Sequence, residues 1–202
     1  MCQWHIAGEG EVALKITRTV RALGWVMVLT ALSWFGLAQS AAGATNGASQ
    51  GIHGFDFEYG NWHVHHRVKS ASDGTWKEFD GTCTARPIMT GQGDIEEHIF
   101  SRPTGVTYGT AVRAFDLKTQ EWAIWWIDSR YPHLPLDPPV KGRFENGVGT
   151  FYSDSPGNGK IVRTRFIWSQ ITPTSAHWEQ ASSEDAGKTW DTNWIMEFRR
   201  VL

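Results

Sequence analysis

The sequence predicts an all-β domain: a single antiparallel barrel of about eight to ten strands, preceded by a secretory signal peptide. Three observations carry this. From Phe55 onward, short runs rich in Trp, Phe, Val, Ile and Thr alternate with turn residues. No window of about 11 residues keeps its apolar positions at helical spacing. The loops between runs are short enough to join neighbouring strands as hairpins, which suggests a meander closed on itself.

The first 44 residues have the order of an export signal. Lys15, Arg18 and Arg21 precede the uncharged stretch from Ala22 to Ala38, and Ala42-Gly43-Ala44 supplies the small residues that a signal peptidase reads. Cleavage after Ala44 is expected, with export to the periplasm or the extracellular space. Gly24, Thr30, Ser33 and Gly36 dilute the apolar stretch, so no stable membrane anchor is expected. Glu9 and Glu11 fit the basic region poorly, which points to an over-extended start before Val12. Residues 45–54 read as a flexible tether, small and polar at first, and residues 55–202 as the barrel domain.

Strands are expected near Gly60 to Val68, Thr75 to Ala85, Gly93 to Phe100, Thr107 to Asp116, Glu121 to Asp128, Val140 to Phe144, Val148 to Ser153, Ile161 to Gln170, Ser175 to Ser182 and Thr189 to Arg199. Asp116 to Gln120 reads as a connecting turn, and Asn146-Gly147 is the pair that a type I′ hairpin favours. Alternation then sorts the faces. Trp122, Ile124, Trp126, Asp128 and Arg130 share one face of their strand and Ala123, Trp125, Ile127 and Ser129 the other; both are largely apolar, so either something covers the outside or the inside is a mixed ligand cavity.

Composition bounds the function. The chain has 202 residues, 12 of them Trp, with Lys+Arg 19 against Asp+Glu 21. That balance lacks the basic footprint of phosphate neutralisation, so nucleic acid is not an expected partner. Of the two cysteines, Cys2 leaves with the signal and Cys83 stands alone, a buried, inert thiol rather than half of a disulfide.

Phe55-Asp56-Phe57 followed by Gly60-Asn61-Trp62 resembles the opening of calycin or lipocalin-like barrels, in which the Trp plugs one end. Phe79-Asp80-Gly81-Thr82, Trp125 to Arg130, Leu136 to Val140 and Trp178-Glu179-Gln180-Ala181 resemble a family of uncharacterised bacterial lipocalin-like domains across roughly Phe55 to Arg199. The resemblance implies a barrel that holds a small molecule, without an agreed reaction or ligand. The Gly/Trp/Tyr-Pro motif of the haem-binding branch is not found, so no cofactor is expected. Ser183 to Trp190 resembles the Asp-box hairpin of sialidase-type propellers, but a propeller needs about 40 residues per blade, and the segment reads as a tight hairpin.

The expected function is binding of a small, partly apolar or aromatic ligand in a Trp-lined cavity, by a monomer or weak homodimer. The residues assigned to the ligand are Arg113, Trp126, Asp128, Arg130, Arg165, Glu179 and Trp194, because charges kept among large apolar side chains must pair or meet a ligand. One alternative is an enzyme on the same barrel, a hydrolase, lyase or isomerase, with Glu97, Asp128 or His66 as acid or base. Another is a carbohydrate-binding module. His63, His65 and His66, even with His98 or Glu97, lack metal-ligand spacing, and no metal is expected.

Overall fold

A computed structural model describes residues 50–157 and 159–202. The expected signal and the first part of the tether lie outside the described residues.

Ten antiparallel strands run in chain order: β1 (Gly60–Lys69), β2 (Trp76–Ile88), β3 (Gly93–Arg102), β4 (Gly105–Asp116), β5 (Glu121–Asp128), β6 (Val140–Glu145), β7 (Val148–Gly157), β8 (Lys160–Ser169), β9 (Ser175–Ser183) and β10 (Asp191–Arg200). Each pairs with its sequence neighbour, and β1 pairs with β10, so the sheet closes into one barrel without a free edge. All ten expected strands are present, the largest boundary difference being the longer β7. Asn146 and Gly147 both take positive φ, 51° and 81°, as a type I′ turn between β6 and β7 requires.

One end of the barrel is closed from inside. Residues 51–54, expected in the tether, instead belong to this plug: 3₁₀ turns at Gly51–His53 and Asp56–Glu58 cross the opening. Phe55, wholly buried, and Ile52, packed against the core, anchor this stretch and make its ordering favourable. Its ring meets Trp122 and Phe144 edge-on at 5.1 and 4.9 Å and stacks near Phe151 at 5.6 Å. Trp122 Nε1 donates to Gly51 O at 2.9 Å.

Trp62 closes the same end from the wall. Its indole Nε1 donates to Glu58 O at 2.6 Å, and the Arg200 guanidinium lies 4.1 Å above the ring. Arg200 also donates to the carbonyls of Tyr59, Phe57 and Pro173, tying β10 to the plug. Trp62→Phe keeps an aromatic ring but strands the buried Glu58 carbonyl, and a loss of roughly 1–2 kcal/mol in urea melts is expected. An unchanged midpoint would mean that the indole donor contributes nothing to closure.

Candidate functional site

Above the plug, the inward positions of β2, β3 and β4 bring together charges that would be costly to bury singly. Asp94 and Arg113 are direct cross-strand partners; Glu96 and His98 follow Asp94 at two-residue intervals on the same face; Cys83 is the β2 partner of His98. Glu58 reaches in from the plug. All six side chains are buried. Arg113 bonds to Glu58 and Glu96, and more loosely to Asp94 at 3.2 Å. His98 Nε2 lies 2.6 Å from Glu96 Oε1, and the Cys83 thiol donates to the same oxygen at 3.5 Å.

One guanidinium serves three carboxyls here, and the carboxyls divide accordingly. Burial pushes Glu58 well above the ordinary carboxylate range, with Arg113 opposing and Glu96 adding to the rise. Asp94 is raised by burial, against Arg113, to about 6. Burial acts upward on Glu96 as well, but Arg113 and His98 outweigh it and hold Glu96 below its usual range. Burial and the neighbouring Glu96 and Glu58 raise the Cys83 thiol.

Towards the other end the interior turns aromatic. The His66 ring, wholly buried, stacks on Phe79 at 4.8 Å and meets Phe100 at 5.1 Å and His98 at 6.0 Å. Trp126 and Trp194 face each other edge to plane at 6.4 Å, with Trp178 5.6 Å from Trp194. Phe79 and Trp194 are half-buried and Trp126 is 36% exposed, so these rings form a mouth open to solvent. Gly109 on β4 makes room for Trp126: a Cβ there would lie 2.2 Å from the indole.

Trp194 Nε1 can only donate, and its acceptor at 3.3 Å is His66 Nδ1, so the His66 proton sits on Nε2. His66 Nε2 and His98 Nδ1 are buried nitrogens without a hydrogen-bond partner among the described residues. Burial, then the charges of His98, Arg102 and His65, push His66 down to about 3, so it is neutral at physiological pH. Arg102, half-buried at the mouth, lies over Phe79 and Phe100 at 4.6 and 4.8 Å and bonds to Thr107. No carboxylate among the described residues forms an ion pair with it.

The structure sorts the residues singled out from sequence. Arg113, Trp126 and Trp194 face the interior, but Arg113 is consumed by its carboxylates and stands between the plug and the mouth. Asp128 and Arg130 sit at the rim and pair with each other at 2.6 Å. Burial acts upward on Asp128, and the Arg130 side-chain and backbone donors outweigh it. Arg165 and Glu179 are corrected to the outer face: Phe166, Trp168 and Trp178 take the inward positions, which leaves Arg165 and Glu179 to pair outside at 3.5 Å, with Arg165 over Trp190 at 4.3 Å. Glu97 is likewise corrected. It is exposed on the outer wall, because Glu96 and His98 take the inward positions.

Glu58, Asp94, Glu96, His98 as an inward group, and Arg102 were missed as site residues. For β3 the cross-strand register was the available signal, since small residues of β4, Ala111 and Gly109, lie opposite Glu96 and His98. Among the enzyme candidates only His66 reaches the interior. The Asp-box segment is a closed local turn: Asp185 accepts from Lys188 N and from Thr189 N and Oγ1.

No protein-family model matches the chain, and no curated protein matches it. Among solved structures, a de novo designed fluorescence-activating β-barrel aligns with 18% identity and a TM-score of 0.39, over 72% of this chain and 95% of the designed one.

Proposed function

We propose that the barrel binds a small, flat, partly aromatic anion at the mouth, between Trp126 and Trp194 and above His66, His98 and Phe100. The observation that carries this reading is a pair of unpartnered imidazole nitrogens, His66 Nε2 beside Gly81 and His98 Nδ1, in rings that lie 6.0 and 5.8 Å from the half-exposed indoles of Trp194 and Trp126. Buried polar groups normally find partners, and a ligand hydroxyl, which accepts from His66 Nε2 and donates to His98 Nδ1, would satisfy both. Arg102, free of carboxylates among the described residues, is positioned to meet an acid group, the part first assigned to Arg113 and Arg165. Access requires Trp126 to swing outward from Trp194.

The single ten-strand meander, with Trp62 closing one end, supports the lipocalin-like reading, and the order of residues 1–44 supports export. The test is titration of tryptophan fluorescence with 1-naphthoate, with laurate as an aliphatic comparison. Saturable quenching by naphthoate is expected. Arg102→Ala should weaken it at least about tenfold, since a hydrogen bond to a charged group contributes about 1.5–3 kcal/mol. Quenching that rises linearly without saturation, or that is indifferent to Arg102→Ala, would remove the mouth as a binding site.

A further inference from the structure

The geometry points to a buried divalent-cation site of the zinc class formed by Cys83 Sγ, Glu96 Oε1 and His98 Nε2. We propose it from three features of the fold. First, the donors converge without rearrangement of the backbone: Cys83 and His98 are cross-strand partners on β2 and β3, Glu96 lies two residues from His98 on the same face, and the three donor atoms all lie within 4.8 Å of one another. Zinc bonds of about 2.0–2.3 Å in tetrahedral array place donor atoms roughly 3.3–3.8 Å apart, so small side-chain rotations suffice.

Second, carboxyls outnumber cations here: Glu58, Asp94 and Glu96 are all buried around one guanidinium. A cation beside Glu96 supplies the missing charge. Third, Glu96 is already aimed. Arg113 holds Oε2, which leaves Oε1 turned to Cys83 and His98, the outer-shell arrangement that fixes a metal-ligating carboxylate.

Thiolate plus imidazole selects zinc, or cobalt as its spectroscopic substitute, over magnesium and calcium. Binding is balanced by protons. The Cys83 S–H bond breaks, its proton leaves to solvent, and sulfur bonds to the cation; the His98 proton shifts from Nε2 to Nδ1, freeing Nε2 as a ligand. A water molecule completes the proposed four-coordinate shell.

The full chain, stripped with chelator, is titrated with Co²⁺ and followed by absorption. One equivalent is expected, with a near-ultraviolet thiolate-to-cobalt charge-transfer band and the visible bands of four-coordinate cobalt, both abolished by equimolar Zn²⁺. The band should persist in Cys2→Ser, where Cys83 is the sole thiol, and vanish in Cys83→Ser. His98→Gln should weaken binding by about tenfold or more. Near-ultraviolet dichroism reports whether each variant is folded. Should Cys83→Ser or His98→Gln fail to fold, the Cys2→Ser chain decides alone: a stoichiometric thiolate band supports the site. Its absence from the folded Cys2→Ser chain, or a band that disappears with Cys2, overturns it.

Discussion

Arg113→Leu is expected to destabilise the barrel by roughly 3–5 kcal/mol at neutral pH, the usual cost of removing one partner of a buried ion pair. Arg113 is fully buried and is the one guanidinium shared by Glu58, Asp94 and Glu96. Its own proton is held more tightly than usual: burial acts against the charge, but the three carboxyls outweigh it. Leucine fills much of the same space, so the loss measures charge rather than volume. Without the guanidinium, Glu96 loses its main reason to stay ionised and must be protonated or leave the core.

The loss should therefore shrink as pH falls, because protonating the carboxyls removes the uncompensated charge. It should also shrink when the carboxyls are neutralised in place: Arg113→Leu combined with Glu58→Gln and Glu96→Gln should recover part of the stability. Urea melts of the single and triple variants at pH 7 and pH 5 check this. A single variant that loses less than about 1 kcal/mol would mean that water or another cation already compensates the carboxyls.

The wall of this barrel was legible in sequence because a strand writes its pleat as a two-residue period, and Trp, Val and Ile are large enough to mark it. β1 shows this: Trp62, Val64 and His66 alternate at two-residue spacing, and all three are buried inside the barrel. β3 shows where the rule fails. Its inward positions are Asp94, Glu96, His98 and Phe100, while Ile95, Glu97 and Ile99 face out, so polarity alone turns the strand around and selects Glu97 instead of Glu96. Only pairing fixes the sign, through Asp94 opposite Arg113 and His98 opposite Gly109. Glu58 was illegible for a different reason. It lies on a 3₁₀ turn outside any strand period, and its inward direction is set by the plug anchored on Phe55. Arg165 and Glu179 were misplaced because charged residues between large aromatics look buried in a linear sequence, whereas in the sheet they occupy the opposite face.

Acid should destabilise the fold through His66, and the sign follows from its lowered native pKa. An unfolded histidine takes up its proton near pH 6.5, whereas His66 in the barrel does so only at about 3. Between these values the unfolded chain binds more protons, so stability falls as pH falls. Above pH 6.5 both states are neutral and the contribution is flat; below pH 3 both are charged and the loss is complete. At about 1.4 kcal/mol per unit, the whole loss is roughly 4–5 kcal/mol, with about 3 kcal/mol of it reached by pH 4. The groups acting on His66 are His98, Arg102 and His65, which disfavour its charge, and Glu96, which favours it. His66→Phe suits a site already walled by Phe79 and Phe100 and retains those other groups, so the difference between the two proteins isolates this imidazole. Urea melts at pH 7 and pH 4 should show wild type losing about 3 kcal/mol more than His66→Phe. Parallel losses would mean that His66 is hydrated in the native state, and a hydrated Nε2 would no longer need a ligand to satisfy it.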